Sequence, residues 1–258
     1  MISKAELNGL YRRYNRRQYV HPDPLEFLYR YPDVGDREIA GLIASSLAYG
    51  RVAQILKSVE AVLQHMGSSP AAFLRSSSAA HLERTFSGFK HRFTTDMELV
   101  SLLSGIKCVI AEYGSLNDCF TAGYKGTDIS IVPALVKFTG KLKCSGKYLI
   151  PVPESGSACK RLNLFLRWMV REDAVDPGGW KGVPKDKLIV PLDTHMAKIG
   201  QTLGLTGRRT ADMRMAKEIT DYFGRLSPDD PVKYDFALTR FGIRSDMKMS
   251  DLLDRERK

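Results

Sequence analysis

Apolar residues recur along this chain at helical spacing. Between Arg51 and Met66 they fall at Val52, Ile55, Leu56, Val59, Val62, Leu63 and Met66, the i, i+3, i+4, i+7 rhythm of one buried stripe. Ile39, Leu42, Ile43 and Leu47 keep the same period just upstream, with Gly50 as a candidate C-cap between the two pieces. Leu99, Leu102, Leu103, Ile106, Val109 and Ile110 mark another helix, and Leu162, Phe165, Leu166 and Met169 one more. Helices are also expected over 211–226 and 231–242, the second capped from the Ser-Pro-Asp-Asp-Pro loop at 227–231 and stopped by Gly242. The N-terminal stretch reads as an amphipathic helix with Leu7, Leu10 and Tyr14 inward and arginines outward. Strand alternation is scarce, and only 147–153 and 187–192 are short extended candidates. The pattern predicts an all-α chain of about ten helices without internal repeats.

Length and charge narrow the function. A chain of 258 residues builds one large domain or two small ones with a sizeable core. The formal net charge is +10. That favours a polyanionic partner, nucleic acid first and a membrane surface second, with a merely solvated basic surface as the plain alternative. No apolar run is long enough to span a bilayer, and the N-terminus lacks the apolar stretch of a signal peptide. Cys108, Cys119, Cys144 and Cys159 have neither CxxC nor zinc or iron–sulfur spacing, so reduced thiols and a cytoplasmic location are expected, with no metal and no cofactor.

Two segments carry candidate chemistry. In 155–171 a small-residue turn, Ser155-Gly156-Ser157-Ala158, enters an amphipathic helix whose first polar residue is Lys160. Backbone N–H groups at such a helix start suit a phosphate. A lysine there has its pKa lowered by the helix dipole, and burial would lower it further toward a nucleophilic neutral amine. In 188–205 an apolar approach through Pro191 ends at Asp193, which opens the next helix and is either a cap alone or also a catalytic carboxylate.

These segments resemble the helix-hairpin-helix DNA glycosylases. Gly156-Ser157-Ala158-Cys159-Lys160 stands where that superfamily has G-x-G-x-K, and Leu192-Asp193-Thr194-His195 where it has a V-D-T-H type of string. Residues 38–63 resemble its early helix pair, with Ser45-Ser46-Leu47-Ala48-Tyr49 at the turn, and Gly88–Phe93 its G-[FY]-x-x-K segment. The separation of Lys160 and Asp193, filled by residues 171–187, is similar to that in archaeal 8-oxoguanine glycosylases, and the whole chain resembles a bacterial family of unknown function at the superfamily's edge. Ala158 departs from the second hairpin glycine, and the usual wedge glutamines are absent from the Ser45–Tyr49 turn.

The resemblance implies a two-lobed helical fold with the site in the cleft. Residues 37–171 would form the central lobe, and 1–36 with 172–258 the second. It implies a base-excision glycosylase with abasic-site lyase activity, acting as a monomer on damaged duplex DNA, with Lys160 as Schiff-base nucleophile and Asp193 as the stabilising carboxylate. Ser155, Gly156, Ser157, Ala158, Arg161, His195, Arg208 and Arg209 are candidate DNA contacts, although His195 reads first as a packing residue. Ser45, Ser46, Tyr49 and Trp180 are candidates for the base pocket or wedge. Trp180 is expected to be exposed in its Gly-Gly loop, for base stacking or loop anchoring, whereas Trp168 reads as core. A non-catalytic nucleic-acid-binding module, and a helical protein acting on something other than nucleic acid, remain the alternative readings.

Overall fold

A computed structural model describes residues 2–142, 149–247, 250 and 252. The chain is all-α, as its periodicity predicts. Its helices in chain order are α1 (Lys4–Tyr14), α2 (Val34–Ser46), α3 (Val52–Met66), α4 (Pro70–Ser76), α5 (Ala79–Phe86), α6 (Asp96–Tyr113), α7 (Leu116–Gly123), α8 (Val132–Leu142), α9 (Lys160–Val170), α10 (Thr194–Thr202), α11 (Met213–Leu226) and α12 (Asp235–Ile243). A 3-10 helix, Pro24–Arg30, precedes α2, and among the described residues three shorter 3-10 turns connect other elements. Between α5 and α6 lies a small antiparallel pair, β1 (Lys90–His91) and β2 (Thr94–Thr95).

The helix starts carry the expected chemistry. Ser3 with Glu6 and Thr95 with Glu98 form capping boxes, and Asp33, Ser69, Ser78, Ser115, Asp193 and Asp212 each accept a backbone N–H from the first turn of their helix. The loop at 227–231 does not cap α12, whose N-cap is Tyr234 with no side-chain capping bond; Ser227 instead ends α11. Gly242 does not stop α12 either, since the helix runs on to Ile243. Nor does Gly50 cap α2, which ends at Ser46 with Leu47 as its cap, leaving Gly50 at φ +97° in the link to α3. The extended candidate at 187–192 begins on the last residue of the short 3-10 turn Lys185–Lys187 and joins no ladder among the described residues. Lys147 and Tyr148 of the other candidate, like Cys144, lie outside the described residues.

Helix α2 is the axis of the core. It is apolar nearly all round, with every residue from Glu38 to Ser46 buried, as a helix enclosed on all faces must be. It packs on α9 and on Pro24–Arg30. The crossing is close because Gly41 lacks a side chain: a Cβ there would stand 3.2 Å from Leu28 and 3.4 Å from Phe165. On one side, α5 to α8 pack in sequence against one another. On the other, α12 is held between α1 and α10. Tyr14 of α1 meets Phe241 edge-on at 5.2 Å, and Tyr222 of α11 donates its hydroxyl to the Ile2 carbonyl. The N-terminal helix thus carries Leu7, Leu10 and Tyr14 inward, as its pattern predicts. Among the described residues no single helix is long and apolar enough to cross a membrane.

Candidate active site

A cavity of about 570 Å³ opens where the C-terminal end of α2, the start of α9, the approach to α10 and the length of α12 converge. That volume is in the range of sites for ligands of drug or nucleotide size. Lys160 and Arg161 line it from α9, Pro191 to His195 from the α10 approach, and Asp235, Thr239 and Arg240 from α12.

Lys160 is the first residue of α9 and is partly buried. Its Nζ donates to the Ala48 carbonyl at 3.1 Å. Burial pushes its pKa below that of an ordinary lysine, because the charged ammonium loses hydration, while the Asp193 carboxylate opposes the shift. The turn before it does not need a left-handed residue at Ala158, where alanine would accept one poorly. Left-handed backbone occurs at Gly156 (φ +79°) and at Cys159 (φ +48°), not at Ala158. Ala158 is buried, and its carbonyl accepts Asn163 Nδ2 at 3.0 Å. Ser157 lines the cavity and accepts the Cys159 N–H, whereas Ser155 turns back to the Val152 carbonyl. The Gly156 carbonyl accepts the Met213 N–H at 3.1 Å, which docks the turn on the start of α11.

Asp193 is a cap and a cavity residue at once. Its Oδ1 accepts the Met196 N–H at 2.8 Å, leaving Oδ2 without a hydrogen bond among the described residues. His195 also lines the cavity and packs on α12, where a Cβ at Gly242 would collide with the imidazole ring. The packing read for it from sequence is thus present.

The remaining candidates divide. Tyr49 lines the cavity, its ring capped at 5.0 Å by the Arg161 guanidinium, which also donates to the Ser46 carbonyl. Ser45 and Ser46 are not at a surface turn. Both are 1% exposed because α2 continues through them, and Ser45 Oγ donates back to the Leu42 carbonyl. Arg208 folds onto Asp212 at 3.1 Å, and neither it nor the exposed Arg209 lines the cavity. Cys108, Cys119 and Cys159 are free thiols.

Trp180 corrects the expectation of an exposed stacking residue. It is 4% exposed, lies against Phe120, Phe138 and Phe165, and donates its indole N–H to Glu38 at 2.7 Å. It anchors the 172–187 segment to the core. Trp168 is fully buried, as its place on the apolar face predicts. Glu38 also accepts the Leu116 and Asn117 N–H groups, capping α7 from a distance. Burial outweighs those three donors and pushes its pKa from the usual 4.5 up to about 7. The folded state therefore binds this proton more tightly than the unfolded chain, and the stability linked to Glu38 falls as pH rises from 4.5 through 7. Denaturant melts of wild type and Glu38→Gln between pH 5 and 8 are expected to show wild type losing up to about 3 kcal/mol relative to the variant over that range. Parallel pH profiles would contradict it.

Sequence patterns did not single out the charged floor of the cavity. Asp23 caps Pro24–Arg30 through Oδ1 and accepts Arg240 at 2.8 Å through Oδ2. Arg167 is 2% exposed and bridges Asp176 and Asp235. Asp235, buried, is pushed up to about 6 despite Arg167. The local sign was that these charges adjoin large apolar residues, Arg167 between Leu166 and Trp168 in α9, Asp235 before Phe236 and Arg240 before Phe241 in α12.

Comparison with curated proteins and with solved structures returned no match. A family model described as "Protein of unknown function (DUF2400)" matches residues 23–244, a span that includes Lys160, Asp193 and the charged floor. The chain belongs to that family.

Proposed function

We propose that this protein is a base-excision DNA glycosylase with abasic-site lyase activity, built as two helical lobes with the cavity in the cleft between them. One observation carries the reading: an amine and a carboxylate from segments 33 residues apart line one nucleotide-sized cavity, and burial favours the neutral amine. The net charge of +10 supports a polyanionic substrate.

The chemistry follows from these groups. A damaged nucleotide leaves the duplex and enters the cavity. The bond between base and C1′ breaks, the base departing with the electron pair, and Asp193 stabilises the positive charge that develops on the sugar. Neutral Lys160 Nζ bonds to C1′. Opening of the sugar ring gives an iminium, loss of a 2′ proton then expels the 3′ phosphate, and water releases the lysine. The Lys160–Ala48 hydrogen bond favours a second reading, a binding module whose lysine only holds the hairpin in place.

Borohydride, which reduces the iminium to a stable amine, separates the two. Duplexes carrying 8-oxoguanine, uracil, oxidised pyrimidines or an abasic site are each incubated with wild type and with Lys160→Ala. The glycosylase reading expects a covalent adduct with wild type and none with the variant. Salt-dependent duplex binding with no adduct on any substrate would leave the binding module, and no binding at all would remove nucleic acid as the partner.

A further inference from the structure

Eliminating the 3′ phosphate releases a 2′ proton, and a base in the same cavity as Lys160 has to take it. Three helix starts bring ionisable groups there. Lys160 is the first residue of α9, Asp193 the N-cap of α10 and Asp235 the first residue of α12, and all three line the cavity.

Of the cavity carboxyls, Asp235 is the one built to accept a proton. It is 2% exposed. Its Oδ2 accepts from Arg167, which fixes the orientation of the carboxyl. Its Oδ1 is buried and has no hydrogen bond among the described residues. Buried polar atoms are ordinarily paired within the fold, so an unpaired carboxylate oxygen in the wall of a cavity points to a ligand or a reacting group. Asp23, by contrast, has both oxygens engaged, Oδ1 by the Leu25 N–H and Oδ2 by Arg240. Asp193 is anchored by the Met196 N–H, with its charge opposite the sugar cation. The charges around Asp235 are Arg167 and Lys160 of α9, Asp176, Asp193 and, on its own helix, Arg240. Burial raises its pKa to about 6, with Arg167 opposing the shift and Asp193 adding to it. Such a carboxylate is ionised at neutral pH yet accepts a proton more readily than an ordinary aspartate.

We propose that Asp235 is the general base of the lyase step, an assignment that rests on the DNA-glycosylase reading. Its Oδ1 takes one 2′ proton from the iminium. The electron pair of that C–H bond forms the C2′–C3′ double bond, and the C3′–O bond breaks with its pair leaving on the phosphate. The lysine nitrogen stays bonded to C1′ until water adds there, and Asp235 returns its proton to solvent.

The test follows strand cleavage and borohydride trapping on one duplex with a preformed abasic site, from pH 5 to 9. Dividing the cleavage rate by the trapping rate at each pH removes effects on folding and on iminium formation. In wild type the ratio is expected to fall below pH about 6, where Asp235 becomes protonated and ceases to act as a base. In Asp235→Asn, whose amide oxygen can still accept from Arg167, the ratio is expected to drop about 100- to 10,000-fold and to lose that acid limb. Deuterium placed at either 2′ position should slow wild-type cleavage at one position only, because a fixed base removes one of the two hydrogens. An unchanged ratio in Asp235→Asn, or a wild-type ratio without the acid limb, overturns the assignment and leaves the glycosylase standing. A limb that disappears in Asp193→Asn and persists in Asp235→Asn gives the step to Asp193 and also overturns it. A wild type that traps on no substrate overturns both.

Discussion

Asp193→Asn is expected to slow single-turnover base excision about 100- to 1000-fold, the cost typical of removing one group aimed at transition-state charge, while leaving the fold intact. Asparagine caps a helix as well as aspartate does, so the Met196 N–H keeps its acceptor and stability should change by less than about 0.5 kcal/mol. The substitution thus separates the two roles that one side chain holds. It also acts on Lys160 in a defined direction. The Asp193 carboxylate raises the lysine pKa against burial, so its loss lowers that pKa further. The amine is then neutral over a wider pH range. Trapping at a preformed abasic site should survive in Asp193→Asn, with the acid limb of its pH–rate profile moved to lower pH. Rates on damaged and preformed abasic duplexes between pH 5 and 9, with thermal melts, measure all three effects. Equal excision rates in wild type and variant would reduce Asp193 to a cap.

That one residue shows what a sequence conveys and where it stops. The cap was legible because it is local: an aspartate, a three-residue reach and the start of a helical rhythm. The helices were legible for the same reason. The pairing of Lys160 with Asp193 came only from the resemblance, and the rest of the cavity wall was not legible, since Ala48 and Asp235 join it only through the packing of α2, α9, α10 and α12. Trp180 was misread because Gly178 and Gly179 signal a surface loop, while the group that buries its indole, Glu38, lies 142 residues away. Ser45 and Ser46 were placed at a turn by the resemblance alone, yet both lie inside α2, where the Ser45 hydroxyl bonds back to a carbonyl of its own helix. The β1–β2 hairpin left no trace, since strands of two residues are too short to show a period. Gly242, read as a stop, is instead the gap that admits His195.

Arg167→Met is expected to lower stability by about 3–5 kcal/mol, the cost of stranding a buried charge, or roughly 10 °C in Tm for a chain of this size. Methionine fills much of the arginine stem's volume, so the loss is mainly electrostatic. Asp176, 0% exposed, keeps Arg171, which also holds Asp173 and Asp230. Asp235 keeps no comparable partner. Its Oδ2 accepts from Arg167, and its Oδ1 has no hydrogen bond among the described residues. Arg167 lowers a carboxyl pKa that already sits at about 6, so its removal raises that pKa further. Because a raised folded-state pKa favours the protonated fold, the variant's deficit should shrink as pH falls toward 5 and widen toward 8. Adding Asp235→Asn should recover part of the loss, so that the two substitutions are non-additive. Additive, pH-independent losses would show that Arg167 acts only by filling space. The network also joins α9, which carries Lys160, to α12 and to the 172–187 segment whose far end leads to Asp193. A double variant that regains its melting temperature but still excises slowly would separate the alignment of amine and carboxylate from the stability of the fold that holds them.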